Sequence, residues 1–182
     1  MPPEASVPRD LILSRLASPV GEILIVTDEG EALRALDFHD YAPRMRRLLA
    51  RGYGERETRE GTAPSQVAEA LERYFAGDLA ALSGLAWRAN GTDFQREVWS
   101  ALTTIPAGET LTYKGLAQRI GRPAAVRAVG LANGANPIAL VAPCHRVIGA
   151  DGGLTGYGGG LSRKAWLLAH EGAQFKAPHP AR

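Results

Sequence analysis

The sequence contains a single cysteine, Cys144, and this scarcity excludes an intramolecular disulfide. It also lacks an unbroken apolar run long enough to cross a bilayer and a leader segment with an apolar core. We therefore expect a cytoplasmic protein with no membrane partner. With 182 residues, 45% of them hydrophobic, the chain can build one large domain or two small ones.

Acidic residues are absent between Glu109 and Asp151, although the net charge of the whole chain is only +2. That total is too small to indicate a nucleic-acid partner by itself. The stretch nevertheless contains five basic residues, which are Lys114, Arg119, Arg122, Arg127 and Arg146. They predict a local electropositive surface, unless their acidic partners come from elsewhere in the fold.

The first part of the chain has the pattern of a β-meander. Three extended runs between Leu11 and Asp40 are separated by Ser18-Pro19 and by Asp28-Glu29-Gly30, which are typical of hairpin turns. Apolar residues at helical spacing then predict helices over 41–50 and 65–76. We expect both helices to cover one face of an antiparallel sheet.

Residues 77–90 show no periodicity and are interpreted as the link between an N-terminal domain, 1–90, and a C-terminal domain, 91–182. The second domain opens on Thr92, and Gln95 three residues later completes a capping-box pattern. This pattern predicts a helix.

Two further helices are predicted close together. Thr112 can cap a helix over 113–120, Gly121 can end it, and Pro123 suits the first turn of a helix that continues to Asn133. This order is typical of a helix-turn-helix, although a helical hairpin in an enzyme without a DNA partner has the same pattern. A last helix is predicted from Leu161 to the stop signal Gly172.

Cys144 lies in the run VAPCHRVIGADGG, followed directly by His145 and Arg146. A thiol with the ordinary pKa of about 8.5 is mostly protonated at neutral pH, so a nucleophilic cysteine needs a base or a positive charge nearby. His145, Arg146 and Glu171 are the candidates, and adjacent side chains diverge, so His145 is expected to act through water or a tight turn. A buried cysteine with no chemical role remains the alternative.

Five segments in order resemble one protein family, the O6-alkylguanine-DNA alkyltransferases. They are FQREVW, TYKGLA, RAVGLANGANP, PCHRVI and GYGGGLSRKAWLLAHEG. The resemblance implies an α+β fold whose N-terminal antiparallel sheet with helices is ribonuclease H-like. It also implies a mostly helical, winged-helix-like C-terminal domain that contains the helix-turn-helix.

The resemblance also implies an irreversible reaction, in which a cysteine takes the alkyl group from O6 of a guanine that has been flipped out of duplex DNA. Cys144 corresponds to that cysteine, His145 to the histidine that acts on it through water, and Glu171 to the carboxylate partner of the histidine. Asn136 corresponds to the asparagine that braces the hinge between the DNA-binding helix and the active-site strand. Tyr113 corresponds to the tyrosine beside the flipped nucleotide.

The family binds the DNA minor groove through the helix-turn-helix, and Arg127 corresponds to the arginine that fills the space of the flipped base. Double-stranded DNA containing O6-alkylguanine is thus the implied partner, bound by a monomer, with cooperative binding left open. The implied DNA-binding residues are Tyr113, Lys114, Arg122, Arg127, Ala128 and Gly130. The implied substrate pocket consists of Val147, Tyr157, Gly158 and Gly159.

Two positions depart from the family pattern. Gly158 stands where many members carry serine, and Gly134 stands where some carry a basic residue. We therefore expect only the backbone N–H at residue 158 to reach O6 and a weaker phosphate contact at residue 134. No cofactor is implied, and no metal is expected, because the N-terminal cysteines that bind zinc in some relatives are absent.

Three other functions fit parts of the pattern. A non-enzymatic sensor of alkylated bases would replace the cysteine, a small cysteine hydrolase would turn over many times, and a helix-turn-helix regulator would bind one DNA sequence. A lesion-binding protein should instead depend mainly on phosphate contacts, and so on salt concentration.

Overall fold

The N-terminal half is built on the predicted meander. The computed structural model describes residues 7–177, so residues 1–6 and 178–182 of the two predicted domains lie outside it. The three antiparallel strands are β1 (Leu11–Leu16), β2 (Ile23–Asp28) and β3 (Leu33–Phe38). A fourth strand that the sequence did not indicate, β4 (Arg59–Glu60), pairs in parallel with β1, so the sheet is mixed and has the order β3-β2-β1-β4.

Helices cover both faces of this sheet. On α1 (Ala42–Tyr53), Met45 and Leu49 pack with Leu24 and Val26 of β2. On α2 (Ser65–Phe75), Leu71 belongs to the core cluster on the opposite face. The prediction that both helices lie on one face is therefore wrong. Successive β2 side chains point to opposite faces, and both faces are buried because the C-terminal half covers the second one.

The C-terminal half is mostly helical. Its helices are α3 (Asp93–Leu102), α4 (Tyr113–Arg119), α5 (Val126–Gly134) and α6 (Leu161–His170). Thr92 and Gln95 form the predicted capping box, and the Thr112 hydroxyl accepts a hydrogen bond from Gly115 N at 2.9 Å. The fold is thus the predicted α+β class, whereas the winged-helix and helix-turn-helix detail stays a prediction.

The predicted start of α5 at Pro123 is wrong, because the helix begins at Val126. Residues 121–125 instead form turns: Gly121 has φ +70°, and Ala125 N donates to Arg122 O at 2.9 Å. The φ of proline suits a turn as well as the start of a helix, so the residue type alone does not distinguish them.

The chain reaches the cysteine through irregular backbone, not through the strand that the resemblance implied. Ile138 forms an isolated bridge with Leu36 of β3, and Leu140 then adopts φ +68°. Residues 144–146 form one turn of 3₁₀ helix, which leads into β6 (Val147–Ile148), paired in parallel with β5 (Leu111–Thr112). The turn that contains Cys144 contacts α3 and α6. No helix within residues 7–177 has the length and apolar character needed to span a bilayer.

Candidate active site

Cys144 is buried in the core and only 5% exposed. Burial raises the pKa of the Cys144 thiol. Three groups act in the opposite direction: a hydrogen bond from the Asn136 side chain and the positive charges of Arg44 and Lys164. The resting sulfur is therefore a protonated thiol with cationic groups near enough to stabilise a thiolate.

The carboxylate of Glu171 organises the groups next to the cysteine. Its Oε1 lies 2.8 Å from His145 Nε2 and accepts hydrogen bonds from Tyr74 Oη at 2.7 Å and Arg146 Nη2 at 2.9 Å. Arg146 Nε donates to Oε2 at 2.9 Å, and Arg146 Nη1 donates to Ile105 O at 2.5 Å. Burial alone would raise the pKa of Glu171, but hydrogen bonds from His145 and Arg146 and the positive charge of Arg146 hold it below its usual range.

The hydrogen bonds of Glu171 assign the tautomer of His145. An ionised carboxylate only accepts, so His145 Nε2 carries the proton and donates it to Glu171. Burial lowers the pKa of His145, with Glu171 acting in the opposite direction, so the ring is neutral at rest. Its Nδ1 is buried and has no hydrogen-bond partner among the described residues. That atom is the acceptor through which the imidazole can take a proton.

Lys164 of α6 is a charged residue at this site that sequence analysis missed. It is 0% exposed, and Nζ donates to Val147 O at 2.6 Å and Thr155 O at 3.0 Å. Burial lowers the pKa of Lys164 to about 8, opposed by the negative charge that Cys144 acquires as a thiolate. Lys164 therefore holds together the two ends of the segment from Val147 to Thr155. Its positive charge also favours ionisation of Cys144.

Asn136 is 1% exposed and ties together the bend between α5 and the cysteine. Its Nδ2 donates to Ala142 O at 2.7 Å, and its Oδ1 accepts from Ile138 N at 3.0 Å. These contacts fix the backbone two residues before Cys144. The bracing role that the resemblance implies for Asn136 stays a prediction.

A cavity of about 570 Å³ opens beside α5. Of the four predicted pocket residues, Tyr157 and Gly158 line it, whereas Val147 and Gly159 do not. Burial raises the pKa of the Tyr157 hydroxyl, and negative charge on Cys144 acts in the same direction. The complete lining is Tyr113, Val126, Gly130, Asn133, Gly134, Thr155, Gly156, Tyr157 and Gly158.

The predicted DNA-binding residues differ in their environments. Lys114, Arg127 and Ala128 are exposed, and neither cation has an ion-pair partner within residues 7–177. Arg122 is also exposed, but its Nε forms an ion pair with Glu97 at 3.0 Å. For Arg122, an acidic partner from elsewhere in the fold is therefore present. Gly130 faces Tyr113, and a Cβ added there would make an ordinary contact of 3.7 Å with the ring.

The most exposed large apolar side chain among the described residues is also on α5. Leu131 is 72% exposed and lies four residues after Arg127, so both project from one face of the helix.

Two family models match successive parts of the chain. Residues 93–173 match the family model for 6-O-methylguanine DNA methyltransferase, DNA binding domain, and residues 11–87 match the model for its ribonuclease-like domain. A methylated-DNA–protein-cysteine methyltransferase of Salmonella typhimurium is 49% identical over 164 residues, which cover 89% of this chain and 96% of the relative. The chain belongs to the 6-O-methylguanine DNA methyltransferase family.

Other members extend the comparison. A methylated-DNA–protein-cysteine methyltransferase of Methanosarcina barkeri is 47% identical over 156 residues, covering 86% of this chain and 94% of the relative. The crystal structure of Mycobacterium tuberculosis OGT in complex with DNA has a TM-score of 0.74 and 40% identity, covering 88% of this chain and 92% of that chain. The O6-methylguanine-DNA methyltransferase of Pyrococcus kodakaraensis, at 24% identity and a TM-score of 0.66, shows the same fold.

The family motifs did not reveal every residue at the site. Arg146 was a candidate for stabilising the thiolate, but it binds Glu171, and the cations that act on Cys144 are Arg44 and Lys164. Lys164 had a usable signal, since it falls on the buried face of α6 with Leu167 and Leu168. Tyr74 and Arg44 had none, because they reach the site from the N-terminal half.

Proposed function

We propose that the protein repairs DNA by transferring an alkyl group from O6 of guanine in duplex DNA to Sγ of Cys144. The observation that carries this proposal is the buried thiol of Cys144, followed in the chain by His145, whose ring is paired with Glu171. A cavity beside the exposed face of α5 adds to it. The names of the relatives and the DNA complex of the Mycobacterium tuberculosis protein support it.

The proposed chemistry is a displacement at carbon. His145 Nδ1 takes the thiol proton through a bridging water, and Glu171 stabilises the imidazolium that forms. The sulfur attacks the alkyl carbon, so a C–S bond forms as the C–O bond breaks. The guanine leaves as an anion and takes one proton from surrounding water to become ordinary guanine. The imidazolium of His145 then returns to water the proton that it took from the thiol, so the protons balance. A thioether is not readily hydrolysed, so each molecule reacts once.

The cavity supports a role in binding the flipped base. Tyr113, at the start of α4, lines it, and its hydroxyl accepts a hydrogen bond from Thr155 Oγ1 at 3.1 Å. We propose that this hydroxyl helps to neutralise the leaving purine and that backbone N–H groups around Gly158 donate to O6. A cavity of about 570 Å³ has room for a purine base and a small alkyl group.

The exposed face of α5 is the proposed contact with the minor groove. Arg127 would fill the space of the flipped base, and Leu131 would press its apolar side chain against the groove one turn later. Apolar side chains that enter the minor groove unstack and bend the duplex. Binding as a monomer is part of the proposal.

Arg127→Ala should lower the rate of transfer from duplex DNA roughly tenfold or more, because an unfilled gap leaves a few kcal/mol of unstacking uncompensated. Reaction of Cys144 with iodoacetamide should not change, because that probe needs no base flipping. Arg122→Ala is the matched control and should have a smaller effect, since its charge already pairs with Glu97. Single-turnover transfer from a methylated duplex measures both; equal losses would contradict the assignment of Arg127.

Intact-mass spectrometry tests the proposed reaction directly. Incubation with a duplex containing O6-methylguanine should add one methyl group, located by peptide mapping on Cys144, and leave unmodified guanine in the DNA. A cysteine hydrolase would leave the protein mass unchanged over many turnovers, and a sensor or a regulator would leave the lesion in place. Either result would overturn the proposal.

A further inference from the structure

Side chains of the N-terminal half occupy the space beside the glycines of the pocket loop, which we define as Tyr157–Gly160. A Cβ added to Gly158 would lie 2.5 Å from Arg44 Cζ, and one added to Gly159 would lie 2.7 Å from Phe38 Cδ2. One added to Gly160 would lie 3.0 Å from Tyr41 Oη. The glycine run therefore permits close packing against the other half of the molecule.

Arg44 is the most firmly held of these side chains. Its Nη1 donates to Asp37 Oδ2 at 2.7 Å, and its Nη2 donates to Gly134 O at 2.7 Å and Asn136 O at 3.1 Å. The side chain is 15% exposed, and its Asp37 partner is 2% exposed. One guanidinium thus joins β3, the end of α5 and the bend that leads to Cys144.

The requirement for glycine at residue 158 comes from Arg44 and not from the backbone. The φ of Gly158 is not in the left-handed region, unlike that of Gly160 at +91°. An added Cβ would meet the guanidinium of an arginine, which moves easily when it is free. Here three hydrogen bonds hold it, so displacing it would also release the carbonyls of Gly134 and Asn136.

We propose that Arg44 is a positioning residue for alkyl transfer, supplied by the N-terminal half, that holds the α5 bend and sets the path of the pocket loop. The proposal rests on the proposed function. It also explains the departure from the family pattern at residue 158: Arg44 and a side chain at that residue would occupy the same space.

A double-mutant cycle tests this inference. Arg44→Ala and Gly158→Ala should each slow transfer from a saturating O6-methylguanine duplex by roughly 10- to 100-fold, because small displacements of reacting groups have effects of that size. The double variant should be no slower than the slower single variant, since the methyl group added at residue 158 then meets no guanidinium. Duplex affinity, measured separately, should change less than the rate, as expected for positioning.

Arg47→Ala removes an exposed arginine from the same helix and should leave the rate unchanged. If Arg44→Ala does not fold, as judged by thermal unfolding, Arg44→Lys takes its place, because an ammonium cannot keep both the Asp37 and the carbonyl contacts. Rate losses that simply multiply in the double variant, or a single variant that reacts at the wild-type rate, would overturn the proposal.

Hydrogen exchange of the free protein separates this inference from the proposed function. Amides of residues 157–160 should exchange faster in Arg44→Ala and at the wild-type rate in Arg47→Ala. Unchanged exchange in Arg44→Ala would show that Arg44 does not hold the loop. Faster exchange, with no transfer even by the wild type, would instead refute the proposed function alone.

Discussion

Cys144→Ser should abolish transfer of the alkyl group and leave duplex binding unchanged. Serine has nearly the same side-chain shape as the buried cysteine, so we expect the core and the α5 surface to stay intact. A serine hydroxyl, however, is a far weaker acid and nucleophile than a thiol, and His145 cannot ionise it with the same groups. Incubation with a methylated duplex should therefore give no increase in protein mass and no loss of O6-methylguanine.

Cys144→Ala is the matched control, because it removes the nucleophile and leaves no hydroxyl to react. Both variants should bind a methylated duplex with wild-type affinity in a fluorescence anisotropy titration. Transfer by the alanine variant at a measurable fraction of the wild-type rate would show that another residue accepts the alkyl group. Loss of duplex binding in both variants would show that the thiol serves the fold and not the reaction.

Interactions between residues close together in the sequence made much of the fold predictable. Thr92 with Gln95 and Thr112 with Gly115 are caps formed within a few residues, so the sequence placed the starts of α3 and α4. The strands β4, β5 and β6 were not predictable in this way. Each has two residues, too few to show alternation, and each pairs with a segment distant in the chain.

The candidate site was predictable where a family motif covers it. Cys144, His145 and Glu171 lie on two segments of the C-terminal half, and the structure brings the last two within hydrogen-bond distance. Whether Tyr74 and Arg44 reach the same region depends on how the two halves pack. No periodicity or spacing within one segment encodes that packing.

These long-range contacts give the N-terminal half a direct part in the chemistry we propose. Tyr74 donates to the carboxylate that orients His145, and Arg44 holds the bend before Cys144. Burial, followed by the neighbouring Glu171, raises the pKa of Tyr74, so its hydroxyl remains a donor. The sheet therefore both completes the core and fixes two parts of the site.

Glu171→Gln should slow alkyl transfer by about 100- to 10,000-fold, the range that positioned acid–base groups supply. The variant keeps the shape of the side chain but removes the charge that stabilises the imidazolium of His145. It also places an amide donor against the guanidinium of Arg146, which loses a charged partner. Single-turnover rates at saturating duplex measure the loss.

The pH dependence of the rate gives a more specific test. Transfer requires a neutral His145, so the rate falls as pH drops through the pKa of that ring. Burial lowers this pKa and Glu171 raises it, so removal of the carboxylate lowers it further. The acid limb of the pH–rate profile should therefore move to lower pH in Glu171→Gln, even though the variant is slower at every pH.

The free energy of unfolding should also depend on pH through Glu171, and it should fall in acid. The pKa of Glu171 is depressed in the folded protein, so its contribution is complete above the unfolded value of 4.5 and is lost as pH falls below it. Glu171→Gln should lack this acid-dependent part of the free energy of unfolding. Denaturant titrations from pH 7 to pH 3 measure the difference, which should narrow as pH falls.

Tyr74→Phe separates the charge of Glu171 from its placement. It removes the neutral hydrogen bond at Oε1 and keeps both the carboxylate and the aromatic packing against Phe75 and His170. We expect a loss of rate well below that of Glu171→Gln. The remaining carboxylate, with one donor fewer, should hold the His145 proton more strongly, so the acid limb should move to higher pH. An acid limb that does not move in Glu171→Gln would mean that Glu171 acts by packing alone, and the proposed proton transfer through His145 would then fail.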